Sequence, residues 1–258
     1  MTATNSMKAA ILSGRAAIGL SVMIPSPQIV EMAGRLGFDW VLIDCEHGTI
    51  NRETVELMAM AAEAGGTTPI ARPATNSPDA ILQVLEAGAL GVQVPHVSTA
   101  AQAHAAVAAV KYHPLGSRGL AAGTRPAGYG FGGSAAEYVE AANRETLVCV
   151  QIEDTEGLAN LREILAVPGV DVFFVGPSDL AQALGHPGRT DAPEVRAAID
   201  GAFRTILAAG KVPGSTGAPD AVAGLIRQGI RYTYTHLTRL LAQAGREFLT
   251  RAREAGPP

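Results

Sequence analysis

Residues 147–183, LVCVQIEDTEGLANLREILAVPGVDVFFVGPSDLAQA, hold the pattern from which the fold can be read. Two short apolar or β-branched runs, Leu147–Ile152 and Val172–Val175, flank a stretch with helical spacing, Glu156–Leu165. The same alternation continues in both directions without a linker. Further strands are predicted at Ile18–Met23, Trp40–Asp44, Thr68–Arg72, Gly91–Pro95, Lys211–Ser215 and Arg231–Thr235. Further helices are predicted at Pro27–Leu36, Arg52–Ala64, Pro78–Glu86, Thr99–Val110, Glu194–Ala209, Pro219–Gln228 and Thr238–Ala255. Eight strands, each followed by a helix, predict an α/β fold that closes as a (β/α)8 barrel, one domain over residues 1–258 with ragged tails at about 1–8 and 255–258. Local grammar agrees: Ser26-Pro27 and Ser77-Pro78 suit helix starts, and Gly37, Gly88, Gly210 and Gly229 stand where left-handed exits are needed. The exception is Lys111–Gly133, which lacks either period before an extra helix at Ser134–Glu145; a loop this long in a compact domain is functional or disordered.

Composition narrows the class. A 258-residue chain with 29 Gly and 16 Pro, yet 47% hydrophobic, reads as many tight turns between buried elements. The net charge of −4, without a long basic run, argues against a nucleic-acid or membrane-surface partner. The first residues lack the basic and apolar regions of a signal peptide, and no apolar run is long enough to span a membrane, so a cytoplasmic enzyme is expected. Cys45 and Cys149 are lone cysteines in apolar runs and are expected as reduced thiols.

In such a barrel the active site gathers where the strands end. Strand two ends Asp44-Cys45-Glu46-His47-Gly48, strand three in Arg72, strand five in Glu153, and strand six runs into Gly176-Pro177-Ser178-Asp179 at a helix start. The period of two puts Gln151 and Glu153 on one face, as it does Trp40, Leu42 and Asp44. Each residue alone has an ordinary role available, as a helix cap, a core histidine or an ion-pair partner. Together, carboxylates, an imidazole and a guanidinium from four strands would converge where unpaired charge is expensive. A divalent cation would balance them. Glu153 and Asp179 supply hard oxygen donors suited to Mg²⁺ or Mn²⁺, with Co²⁺ or Zn²⁺ as alternatives. Arg72 then offers donors to developing oxyanion charge, His47 exchanges a proton, and Asp44 orients it. These ingredients describe chemistry on a 2-oxo acid.

The segments FDWVLIDCEHG, ARPATNSPDAILQVLEAGALGVQVPHV, HPLGSRGLA, VQIEDTEGLAN and VFFVGPSDLAQALG, in order over roughly residues 15–230, resemble the metal-dependent class II pyruvate aldolases. This family includes 4-hydroxy-2-oxoheptanedioate and 2-keto-3-deoxy-sugar-acid aldolases. The resemblance implies a phosphoenolpyruvate/pyruvate-type barrel, a homohexamer, and a last helix exchanged between neighbours. It assigns the metal to Glu153 and Asp179, acid/base work to His47 with Asp44 supporting it, and oxyanion stabilisation to Arg72. It assigns substrate binding to Arg72, Gln151 and the backbone of Gly176 and Ser178. The implied reaction is reversible cleavage of a 4-hydroxy-2-oxo acid into pyruvate and an aldehyde.

Two segments depart from the family pattern. Glu86 stands in VLEAGA where many relatives carry Asp, and is expected to support a water-relayed proton as a further catalytic residue. Near strand eight the chain reads RYTYTHLTRL; Tyr232, Tyr234 and His236 there are either barrel packing with a helix cap or a changed substrate pocket. Arg118, Arg125 and Tyr129 place the long loop as a lid, a contact to a neighbour, or solvated surface. His96 and His113 flank turns, where an imidazole satisfies backbone groups. Cys45, between acidic residues, is disfavoured as a thiolate. Lys8, Lys111 and Lys211 are the only lysines and none ends an early strand, which disfavours a Schiff base. A CoA-ester lyase of the citrate-lyase-β type and a non-catalytic 2-oxo-acid-binding barrel are the alternatives, the former weakened by the lack of a basic patch for CoA phosphates.

Overall fold

The computed structural model describes residues 4–254. Strands β1 (Ala17–Val22), β2 (Trp40–Asp44), β3 (Thr68–Arg72), β4 (Gly91–Val94), β5 (Leu147–Ile152), β6 (Val172–Val175), β7 (Pro213–Thr216) and β8 (Tyr232–His236) form one closed barrel in chain order. Every pairing is parallel, and β8 closes against β1. This is the (β/α)8 fold expected. β7 and β8 run further toward the barrel mouth than the pattern suggested, which brings Thr216 and His236 into strands.

The helices are α1 (Ser6–Leu12), α2 (Pro27–Arg35), α3 (Arg52–Gly65), α4 (Pro78–Glu86), α5 (Ala100–Val110), α6 (Ala135–Glu145), α7 (Thr155–Ala159), α8 (Leu161–Leu165), α9 (Pro177–Ala183), α10 (Pro193–Ala208), α11 (Val222–Arg227) and α12 (Leu237–Glu254). Ser26 and Ser77 accept the N–H of Ile29 and Ala80, with Pro27 and Pro78 opening the first turn as expected. Where a loose tail was expected over residues 1–8, the chain instead builds α1. Asn5 caps it by accepting the Lys8 N–H at 2.8 Å, and Met7 and Ile11 plug the barrel floor. Seven residues are too few to show a helical period, which is why the pattern hides this element. The remaining tail positions, 1–3 and 255–258, lie outside the described residues. The helix expected over Glu156–Leu165 divides at Asn160, whose side chain donates to the Ser98 carbonyl at 2.9 Å.

Alternation along each strand sorts the core into two shells. Outward residues such as Val41, Ile43, Val92, Val150, Phe173 and Val175 pack under the helices. Inward residues Trp40, Leu42, Ile70, Cys149, Phe174, Tyr232 and Tyr234 fill the barrel. Trp40 is the keystone of that filling. Its indole lies 4.1 Å, centroid to centroid, from the Tyr232 ring and donates to the Ala17 carbonyl at 3.2 Å. Gly19, its register partner on β1, makes the space: a Cβ there would stand 2.3 Å from Trp40 Cε2.

The 111–133 loop is not a lid. Its 3₁₀ segment, Arg125–Gly130, lies with Arg125 paired to Glu63, and Arg118 pairs with Glu86 at 2.7 Å. Glu63 and Glu86 sit near the C-terminal ends of α3 and α4, which run back toward the strand starts, so the loop covers the floor side, opposite the mouth.

Gly19→Ala is expected to lower unfolding free energy by about 1–3 kcal/mol, because a methyl group must displace the indole of a close-packed barrel. Urea unfolding followed by Trp40 fluorescence measures it. Wild-type stability in this variant would show that the indole has room to move.

Candidate active site

At the mouth, Asp44 and Arg72 are register partners on β2 and β3, and both point inward. Arg72 Nε donates to Asp44 Oδ1 at 2.9 Å and one Nη to Oδ2, a two-point fork. Asp44 Oδ1 also accepts the backbone N–H groups of Glu46 and His47 at 3.1 and 3.2 Å. Burial alone would raise the Asp44 pKa, but the Arg72 hydrogen bond and charge, with the two backbone donors, outweigh it and hold the carboxyl below its ordinary value. Burial likewise opposes the Arg72 charge, and Asp44 overrules it, so the guanidinium stays protonated.

The fork leaves Arg72 Nη1 free to reach Glu46 Oε2 at 3.1 Å and Gln151 Oε1 at 3.5 Å. Gln151 in turn donates to Glu153 Oε2 at 2.5 Å and accepts from Gln93, whose own amide oxygen takes the Tyr232 hydroxyl at 3.0 Å. Glu153 Oε1 accepts the backbone N–H of His96 at 2.7 Å and lies 3.1 Å from its Nδ1. His96 Nε2 stands 3.0 Å from Glu46 Oε1, and His96 adopts φ +54°, uncommon for a residue with a side chain. His47 and His96 are the exposed members, their side chains 55% and 63% accessible, and His47 Nε2 lies 3.7 Å from Glu46 Oε2.

Burial raises the Glu153 pKa, the charge of Asp179 raises it further, and the His96 and Gln151 contacts only partly offset this. Gly176 is shaped to that carboxylate: a Cβ at 176 would meet Glu153 Oε2 at 2.9 Å. Asp179 sits in the first turn of α9, but the cap position is Gly176 and no side chain caps the helix, so Asp179 is not spent as a cap. The Glu153 carboxylate just past β5 and Asp179 in the first turn of α9 thus lie near enough for their charges to interact, two anionic oxygen donors whose chemistry fits a hard divalent cation. Cys45, pushed up to about 12 by burial and by Asp44, stays a thiol, as its acidic neighbours suggested.

The structure brings Asp44, His47, Arg72, Gln151, Glu153, Gly176, Ser178 and Asp179 to one end of the barrel. Three details differ from expectation. Asp44 holds Arg72 and the backbone of the turn and makes no bond to the His47 imidazole. The Gly176 N–H is already given to the Ile152 carbonyl at 3.1 Å, leaving the amide of Ser178 to face the mouth. Glu86 stands outside the cluster, on the floor side against Arg118, because α4 carries it away from the strand ends. Sequence reasoning underrated His96 and left Glu46 without a role. The available signal was position: each stands two residues beyond the mouth end of its strand.

Asp44 ionised contributes stability above its ordinary pKa of 3.8, and that contribution is lost as pH falls through the depressed folded value. Asp44→Asn is therefore expected to destabilise by about 3 kcal/mol near neutrality, with the deficit shrinking below pH 3.8. Urea midpoints measured across pH check this; a deficit that stays constant into acid would show that the ion pair is not its source.

Comparison with known proteins agrees with this geometry. The sequence model of the family described as HpcH/HpaI aldolase/citrate lyase matches residues 18–231. A hydroxypyruvate/pyruvate aldolase of Pseudomonas aeruginosa is 41% identical over 221 residues, covering 85% of this chain and 81% of that protein. A 4-hydroxy-2-oxo-heptane-1,7-dioate aldolase of Salmonella typhimurium is 40% identical, covering 85% and 82%. Among solved structures, an HpcH/HpaI aldolase/citrate lyase family protein of Burkholderia cenocepacia J2315 superposes with a TM-score of 0.91 at 30% identity, covering 97% of this chain and all of that one. With the barrel, the mouth cluster and these relatives in agreement, the chain belongs to the HpcH/HpaI aldolase/citrate lyase family.

Proposed function

We propose that this enzyme reversibly cleaves a 4-hydroxy-2-oxo acid into pyruvate, or a close 2-oxo acid, and an aldehyde, with a divalent cation held by Glu153 and Asp179. The observation that carries the reading is the buried Glu153 carboxylate near Asp179 beside the Arg72 fork, in a chain whose relatives are named as aldolases. The cation, Mg²⁺ or Mn²⁺ by its oxygen donors, would act as a Lewis acid on the 2-oxo group.

The chain's own residues divide the remaining work. Gln151 and the His96 backbone fix the two oxygens of Glu153. Arg72, immobilised by Asp44, aims Nη1 at the space above Gln151, where it stabilises oxygen charge that develops as the carbon–carbon bond breaks. His47 projects from the turn with its ring exposed, placed to take the proton of the 4-hydroxyl and return one to the product. The Ser178 amide offers a donor to the substrate carboxylate. The aromatic layer of Trp40, Phe174, Tyr232 and Tyr234 closes the floor beneath, so Asp44, Arg72 and Glu153 act from buried positions. Glu86, on the opposite side of its own barrel, would relay protons only to a neighbouring copy. α12 supports a homo-oligomer: it buries no residue within its own chain and leaves Leu241 and Phe248 66% and 69% exposed. No helix among the described residues is long and apolar enough to cross a membrane.

Pyruvate release from 4-hydroxy-2-oxo acids is expected to vanish after EDTA treatment and return with Mn²⁺ or Mg²⁺. Glu153→Gln should lose at least ~100-fold in kcat/KM together with calorimetric Mn²⁺ affinity. His47→Gln should lose about 10²–10⁴-fold in turnover while still binding the ion. Full activity after EDTA would exclude the cation, and loss of Mn²⁺ binding in His47→Gln would make that residue a ligand.

A further inference from the structure

The mouth has two unlike sides. Glu153 stands just past β5 and Asp179 opens the helix after β6, while the barrel order puts β1 directly across from β5, with β8 beside β1. On that far side Ser21 and His236 are register partners on adjacent strands. Both point inward, since Ser21 continues the face of Ala17 and Gly19, and His236 that of Tyr232 and Tyr234. Ser21 is fully buried, and neither Ser21 Oγ nor His236 Nδ1 has a hydrogen-bond partner, although both are shielded from solvent. The orphan hydroxyls of Thr233 and Thr235 point the other way, toward the helices, and do not share this space.

Two neighbouring buried polar atoms without partners each cost stability unless something supplies the missing bonds. Their chemistry defines what that is. A serine hydroxyl donates and accepts, and a neutral imidazole nitrogen does either by tautomer. Burial, then the charges of Arg239 and Arg72, pull the His236 pKa down to about 4, so the ring is neutral at working pH. The Tyr234 ring, edge-on to it at 5.5 Å, fixes its plane. A neutral pair of this kind matches a hydroxyl, which both donates and accepts; a carboxylate would accept from both but find no positive charge in the pair to balance its own.

Building on the aldolase reading, we propose that Ser21 and His236 form the binding site for a hydroxyl group on the aldehyde half of the substrate, so that the enzyme is selective for hydroxyaldehydes. A 2-oxo acid anchored at β5 and β6 extends its far end toward β8 and β1, where this pair waits.

The experiment compares kcat/KM for pyruvate release from three 4-hydroxy-2-oxo acids, whose aldehydes are glyceraldehyde, propanal and succinic semialdehyde, in the Mn²⁺-loaded enzyme. The glyceraldehyde compound should be preferred over the propanal compound, and Ser21→Ala or His236→Leu should collapse that ratio ~5–10-fold. His236→Asn, which keeps a polar atom near the Nδ1 position, should restore most of the preference. A ratio unchanged in Ser21→Ala, or rates for both substrates falling together, would give the pair a purely structural role and overturn the proposal. Preference for the succinic semialdehyde compound would overturn it in favour of anion recognition. Turnover of the propanal compound without any hydroxyl preference refutes this inference while leaving the aldolase reading intact; no turnover of any compound removes both.

Discussion

The fork between Asp44 and Arg72 is the constraint on which the mouth depends. Taking two charges out of water costs several kcal/mol per ion, and attraction offsets that only where geometry is good and remaining bonds are satisfied. Here both conditions come from the backbone. Parallel register puts the two residues side by side on inward faces, and the turn after β2 bends two N–H groups onto the same carboxylate oxygen. The pair thereby does three things at once. It aims the free Nη1 of Arg72 across the barrel, sets the direction of the turn that carries Glu46 and His47, and joins β2 to β5 through Gln151.

That linkage concentrates negative charge. Asp44 and Glu46 both pair with the Arg72 guanidinium, whereas Glu153 pairs only with His96 and feels the added charge of Asp179. Gly176 leaves the room that the Glu153 carboxylate occupies, and Asp179 adds its charge nearby. Keeping like charges together, at the cost of a raised pKa, is the arrangement that a doubly charged ion rewards.

Much of this was legible in the sequence, and the limits have physical causes. The barrel was readable because eight buried strands and their helices each satisfy local rules that agree with one another. Asp44, Arg72, Glu153 and Asp179 were readable because charge that ends an apolar strand must go somewhere. Partners were less legible than positions. Nothing in DCEHG says that Asp44 turns to Arg72 and not to His47, because that choice depends on register with β3. Glu86 was misplaced for a related reason: motif similarity gives a residue type, while the antiparallel run of α4 decides which end of the barrel receives it. The role of His96 needed a left-handed backbone at a non-glycine residue, which no spacing rule predicts.

The polar pair at β8 and β1 follows a different logic from the charged half, and the contrast bears on how one site serves two parts of a substrate. Chemistry is confined to the side where charge can be stabilised, near Arg72 and the two carboxylates. A charged group on the recognition side would sit near Arg72 and compete with the oxyanion for its field, an effect that burial of Arg72 strengthens. A neutral serine and a neutral imidazole bind without adding to that field. Selectivity at the far end can then change while the electrostatics of bond cleavage stay as they are.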